Sequence, residues 1–212
     1  MMVQDIMIKD VIFIDEATSI KEAFDKMEHH RIRHLPVVNK EMEIIGILSD
    51  RDIRKASPSI LEDWRYELLD RPVNEIMNKN VITALPFDFV EEAANTMMEH
   101  QISCLPIEDN GQLIGIITDT DLLKTLVKLT GADMPSSRLE IEVPNESGML
   151  SEVASLIKKH NINIQSVLVY PGKELDKKIL VFRLQTMNLR PLTQSIKNIG
   201  YKVLWPDLEM KI

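Results

Sequence analysis

One pattern of residues occurs twice in this chain, 70 positions apart. Val3, Ile6, Met7, Val11, Ala23, Met27, His30, Ile32, Leu35 and Pro36 recur as Val73, Ile76, Met77, Val81, Ala93, Met97, His100, Ile102, Leu105 and Pro106. Each copy closes on a matching tail, Ile45-Gly46-Ile47-Leu48-Ser49-Asp50-Arg51-Asp52 and Ile114-Gly115-Ile116-Ile117-Thr118-Asp119-Thr120-Asp121. The tails lie 69 apart, so the first copy carries one extra residue near Lys40 to Glu43. Duplication on this scale predicts two similar units packed about a pseudo-twofold axis, with any site present in duplicate. It favours a binding module over a single-centre enzyme.

Periodicity assigns the same elements to both copies. An extended segment comes first, Val11 to Ile14 or Val81 to Ala84. A helix follows, striped by Ile20, Ala23, Phe24 and Met27 or by Val90, Ala93, Ala94 and Met97. Two short strands come next, Leu35 to Val38 and Glu43 to Leu48, then Leu105 to Glu108 and Leu113 to Ile117 around the hairpin turn Asp109-Asn110-Gly111. A last helix begins at Asp50 or Asp119. The expected divisions are 1–56 and 73–130 for the copies, 57–72 for a helical connector bracketed by Pro58 and Pro72, and 131–137 for a linker.

Residues 138–212 do not continue the repeat. Leu139, Ile141 and Val143 alternate as a strand, and Leu150, Val153, Ala154 and Ile157 stripe a helix after Asn145-Glu146-Ser147-Gly148. Ile162, Ile164, Leu168 and Tyr170 alternate next, followed by Leu180, Phe182 and Leu184. Leu192, Ile196 and Ile199 mark a second helix stopped by Gly200, and Val203 with Trp205 a final strand. The order β-α-β-β-α-β is the ferredoxin-like split βαβ arrangement, so the whole chain reads as α+β.

Composition narrows the functions. Net charge is −8, which argues against nucleic acid as the main ligand, since a duplex-binding surface needs a basic face. The lone Cys104 forbids an internal disulfide and fits a reducing compartment. Charged residues through 1–20 exclude a signal-peptide core, and no apolar run is long enough for a membrane span. The expectation is a cytoplasmic protein with no membrane and no nucleic-acid partner. His30 and His34 straddle a helix end and make a poor metal pair, so no metal site is expected. The twelve methionines, Met97 and Met98 included, read as core filler.

The junctions Ser49-x-x-Asp52 and Thr118-x-x-Asp121 carry the most chemistry. A strand ends, a hydroxyl follows, and a helix starts, so free N–H groups and the helix dipole suit a phosphate. The carboxylate three residues on can accept two hydrogen bonds from a ribose diol. Equally, Ser49 and Thr118 read as N-caps, with the acids stabilising the first turn.

Through Leu35-Pro36-Val37-Val38, Gly46 to Asp52, Leu105-Pro106-Ile107 and Gly115 to Asp121, the two copies resemble a tandem pair of CBS domains, the Bateman module. Residues 138–212 resemble an ACT domain through Val143-Pro144-Asn145-Glu146-Ser147-Gly148-Met149-Leu150, with Asn-Glu-Ser-Gly where that family commonly has Asp-x-Pro-Gly. The resemblance implies a non-catalytic regulator that needs no cofactor and takes an adenine nucleotide (AMP, ADP, ATP or a relative) as its regulatory ligand. The first implied site is Ile12, Arg33, His34, Pro36, Ser49, Arg51 and Asp52. The second is Ile82, Ser103, Cys104, Pro106, Thr118, Thr120 and Asp121. ACT resemblance implies an effector site at Asn145 and Gly148, against a plain helix start capped by Asn145 or Ser147. It also makes a homodimer the expected state. A CBS–CBS–ACT chain is similar to the acetoin-utilisation family, which implies acetoin or butanediol catabolism and a partner enzyme of acetoin or acetyl-coenzyme A metabolism. A ligand-free dimerisation adaptor is the alternative.

The copies differ in charge. Arg31, Arg33, His34, Arg51, Arg54 and Lys55 of the first correspond to Gln101, Ser103, Cys104, Thr120, Leu123 and Lys124 of the second. Paired guanidinium groups stabilise a multiply charged phosphate tail, so the first site is expected to take the more phosphorylated ligand. The competing expectation is a solvated face paired with Glu28, Glu41 or Asp50.

Overall fold

The structure is a computed structural model and describes residues 1–56 and 69–206; most of the expected connector, 57–68, lies outside the described residues. It divides into two compact units, Met1–Leu123 and Lys124–Ile212.

In the first copy, α1 (Ile20–His30) starts at Ser19, whose Oγ accepts the Glu22 N–H at 3.1 Å, and ends where Arg31 turns left-handed at φ 54°. Its stripe is narrower than expected: Ile20, Ala23 and Met27 are buried, but Phe24 is 40% exposed. Strands β2 (His34–Val38) and β3 (Ile44–Ser49) form an antiparallel pair, and α2 (Asp50–Ala56) follows at once. The lead-in strand is much shorter than Val11 to Ile14. Only β1 (Ile14–Asp15) pairs, parallel to β2, because Val11 N–H folds back onto the Lys9 carbonyl and breaks the extended run.

The second copy repeats this with α3 (Val90–His100), β4 (Cys104–Asp109), β5 (Gln112–Thr118) and α4 (Asp119–Thr130). Its lead-in makes a single parallel bridge, Ala84 to Ile107, in place of a strand. Asn110 and Gly111 both take positive φ, 52° and 83°, as the two-residue hairpin requires. Met97 is buried as core filler, whereas Met98 is 77% exposed and is not.

Each copy completes the other. Val3 is fully buried among Ala84, Ala93, Met97, Leu105, Ile107 and Ile117 of the second copy. Val73 and Met77 lie in the core of the first, with Ala23, Leu35 and Leu48. Backbone bonds mirror the exchange: Ile47 and Asn78 trade N–H to carbonyl bonds at 2.9 Å, and Ile8 and Ile116 do so at 2.9 and 3.0 Å. The glycines of the tails serve this crossing. A Cβ on Gly115 would meet Met7 Sδ at 2.6 Å, and one on Gly46 would collide with Met77 Sδ. These residues pack the second copy's lead-in over the first copy's sheet, and the reverse.

In the C-terminal unit, β6 (Ser137–Pro144), β7 (Ile164–Pro171), β8 (Lys177–Leu184) and β9 (Lys202–Trp205) form one antiparallel sheet in the order β7-β8-β6-β9. Alternate residues Leu139, Ile141, Val143, Leu180, Phe182 and Leu184 face α5 (Met149–Lys159) and α6 (Arg190–Asn198), which supply Val153, Ile157, Leu192 and Ile196 to the core. Leu150, expected in the α5 stripe, is 41% exposed. Helix α4 runs on to Thr130 before Gly131 ends it at φ 67°, and Ser166 Oγ donates to the Thr130 carbonyl at 2.6 Å.

Candidate functional site

Ser49 ends β3 and opens α2. Its Oγ accepts the Asp52 N–H at 3.3 Å, while the Asp52 carboxylate accepts the Ser49 N–H at 2.9 Å and hydroxyl at 2.6 Å. Thr118 and Asp121 repeat the arrangement at 3.3, 3.1 and 2.6 Å. Both junctions are therefore closed capping boxes, the arrangement expected of a stable helix start. Among the described residues the bonds at Asp52 fall on Oδ2, and the half-buried carboxylate borders a cavity of about 400 Å³.

The exchange of lead-ins decides what surrounds that cavity. The first copy contributes Arg33, His34, Ser49, Arg51, Asp52 and Lys55. The second contributes Asn78, Asn80, Val81 and Ile82 from its lead-in, and His100 to Cys104 from the end of α3 into β4. Ile82, Ser103 and Cys104, assigned from sequence to the second site, thus stand with the first copy's residues. Ile12 does not join them, because its own lead-in is anchored at Ile8 to β5 of the second copy. Pro36 and Pro106 are buried inside β2 and β4, opposite Ile47 and Ile116, and do not reach the cavity. Thr118, Thr120 and Asp121 lie at the other junction, outside it.

Asn78, Asn80, His100 and Gln101 also line the cavity, outside the motifs legible in the sequence. The Gly46–Met77 and Gly115–Met7 pairs were the available signal, since a glycine in a buried strand announces something large close above it.

Charge follows the regrouping. Arg33, Arg51 and Lys55 bring three cations to the wall against Asp50 and Asp52. Arg54 does not line it and pairs with Asp50 at 2.8 Å, and Arg31 stands at the helix end outside it. At the front of β2, His34 Nε2 hydrogen-bonds Ser103 Oγ of the other copy at 3.1 Å. Burial, helped by the Arg33 charge and partly opposed by Asp50 and Asp119, holds the His34 pKa below the ordinary imidazole value. Burial pushes the Cys104 thiol up to about 12, with Asp119 adding to it, so this sulfur is a neutral wall and not a nucleophile.

In the C-terminal unit, Asn145 Nδ2 donates to the Leu175 carbonyl at 3.3 Å and its N–H to Asp176 at 2.7 Å. Asn145 borders a cavity with Tyr170, Gly172 and Lys178, but Gly148 does not. Neither Asn145 nor Ser147 caps α5. Gly148 holds the N-cap position at φ 91°, with no side-chain cap bond.

Among the described residues no cluster of acids, histidines and cysteine could hold a metal ion, and no helix is long and apolar enough to cross a membrane.

Comparison with known proteins agrees with this architecture. The model of the CBS domain matches residues 3–59 and 73–128, and that of the ACT domain residues 137–200. Over 125 residues, 58% of this chain, the sequence is 38% identical to homoserine O-acetyltransferase of Methanococcus vannielii, of which the match spans 24%. The CBS domain pair of protein MJ0100, solved in complex with 5′-methylthioadenosine and S-adenosyl-L-methionine, is 31% identical with a TM-score of 0.53, covering 59% of this chain and 95% of that one. A structure from Vibrio cholerae designated an acetoin utilization protein (AcuB) is 29% identical with a TM-score of 0.57, covering 65% and 98%. The chain belongs to the CBS-domain family, with tandem CBS domains followed by an ACT domain.

Proposed function

We propose that the cavity between the CBS copies binds an adenosine-type nucleotide and that the chain is a non-catalytic regulatory sensor. One observation carries this reading: a hydroxyl and carboxylate at the start of α2 face the apolar lead-in of the opposite copy, Val81 and Ile82, across a cavity with three cations on its wall. Apolar walls suit a base, Asp52 suits a ribose diol, and Arg33, Arg51 and Lys55 suit phosphate. The MJ0100 pair, similar in fold and 31% identical, holds adenosine compounds. A ligand touching both copies has different affinities for different packings of the two, which is what a switch requires. The second, symmetry-related junction at Thr118 and Asp121 has Thr120 where the first has Arg51, and suits a less charged adenosine compound. The ACT domain would carry the signal through a homodimer or to a partner enzyme, in acetoin or butanediol catabolism as the likeness to AcuB suggests.

The alternative is a ligand-free dimerisation adaptor. The closed capping boxes favour it, because they give Ser49 and Asp52 a purely structural task. Thermal melting with AMP, ADP, ATP, adenosine and S-adenosylmethionine at millimolar concentration separates the two. A sensor melts higher with at least one of these compounds, and an adaptor melts at the same temperature with all of them.

A further inference from the structure

We propose that Asp119 is a built-in competitor of the ligand phosphate: it holds Arg33 in the unliganded chain and thereby sets how strongly the cavity distinguishes phosphorylated adenosine compounds from adenosine. This rests on the nucleotide reading of the cavity. Arg33, on the cavity wall, places Nη2 at 3.8 Å from Asp119 Oδ1, at the start of α4 in the opposite copy. Both side chains are half exposed, 60% and 48%, so the pair is weak enough for a phosphate to displace. Asp119 is itself held in place. Its N–H donates to the Ser103 carbonyl at 3.0 Å, and its Oδ1 accepts from the Thr120 N–H at 2.6 Å and hydroxyl at 3.2 Å.

The contact exists on one side only. The symmetry-related backbone bond is present, Asp50 N–H to the Arg33 carbonyl at 3.0 Å. The Asp50 carboxylate, however, pairs with Arg54, and the position equivalent to Arg33 in the second copy is Ser103, which carries no charge. The Asp119 charge also reaches the cavity wall, where it acts on both His34 and Cys104. A phosphate that takes Arg33 leaves this carboxylate without its cation and near a second anion, so binding works against Asp119 twice. An uncharged nucleoside meets neither cost.

Isothermal titration of AMP and of adenosine into wild type, Asp119→Asn, Arg33→Gln and the double variant tests this. Asp119→Asn is expected to tighten AMP about two- to fivefold and to leave adenosine unchanged, adenosine binding also reporting that the variant is folded. In the Arg33→Gln background the gain for AMP shrinks. Wild type that binds AMP, with Asp119→Asn leaving AMP unchanged, weakening it, or shifting AMP and adenosine alike, overturns the competitor role alone. Wild type that binds neither compound overturns the nucleotide reading and this inference with it.

Discussion

At Asp52 one carboxylate closes the α2 capping box and borders the cavity, so replacing it removes two things at once. Asp52→Ala is predicted to lower thermodynamic stability by about 1 kcal/mol, the worth of a cap. It is also predicted to weaken nucleotide binding by about 1.5–3 kcal/mol, roughly ten- to a hundredfold, through loss of a charged hydrogen-bonding partner. Urea melts and calorimetry on one preparation read the two effects separately. His34 makes a second prediction. Its folded pKa lies below 6.5, so below that pH the unfolded chain binds the proton more readily than the folded one. Its contribution to stability is therefore complete above 6.5 and is lost as the pH falls through 6.5 towards the folded value. The urea midpoint of wild type should drop more between pH 7.5 and 5.5 than that of His34→Gln. Equal drops would show that His34 does not sense the change. Cys104 is 4% exposed with its thiol pushed up to about 12. Iodoacetamide at pH 8 should leave the native chain unmodified and label it quickly in urea.

Between elements, the Gly46–Met77 contact is where one copy locks onto the other. A methyl at Gly46 must push Met77 aside, so Gly46→Ala is predicted to destabilise the N-terminal unit by about 1–3 kcal/mol. Combined with Met77→Ala it should cost less than the two single changes together, because the clash disappears with the side chain. Additive losses in urea melts would contradict direct packing. This contact also explains what could be read from the sequence and what could not. Period 3.6 at Ala23 and Met27 and alternation at Leu139 to Val143 report burial along a single element, and those helices and strands are found within a residue or two of expectation. Which copy a segment packs against leaves no periodic trace. Val3 and Val73 look alike, yet each is buried in the core of the opposite copy. The residues expected together from sequence therefore divide: Ser49 and Asp52 border the cavity with Ile82 of the opposite copy, and Ile12 lies outside it. Phe24 and Leu150 mark a second limit: an apolar residue at the edge of a helical stripe satisfies the pattern without facing the core.

At the scale of the whole molecule, the cavity belongs entirely to the unit Met1–Leu123, so a ligand should stabilise that unit and leave Lys124–Ile212 unchanged. Ligand at a hundred times its dissociation constant adds about 2.7 kcal/mol to the unit that binds it. Scanning calorimetry with saturating nucleotide should therefore raise one melting transition and not the other. A rise confined to the C-terminal unit would move the site to the ACT domain. The duplication gives this unit two similar junctions, and among the described residues the cavity beside the first combines Arg33, Arg51 and Lys55 with the opposite lead-in. The most direct test is a crystal structure of the chain grown with AMP. The ribose hydroxyls are expected on Asp52, the base against Val81 and Ile82, and the phosphate on Arg33 and Arg51. AMP bound elsewhere, or Asp52 still closed on Ser49 beside a cavity that has taken up no nucleotide, would contradict it.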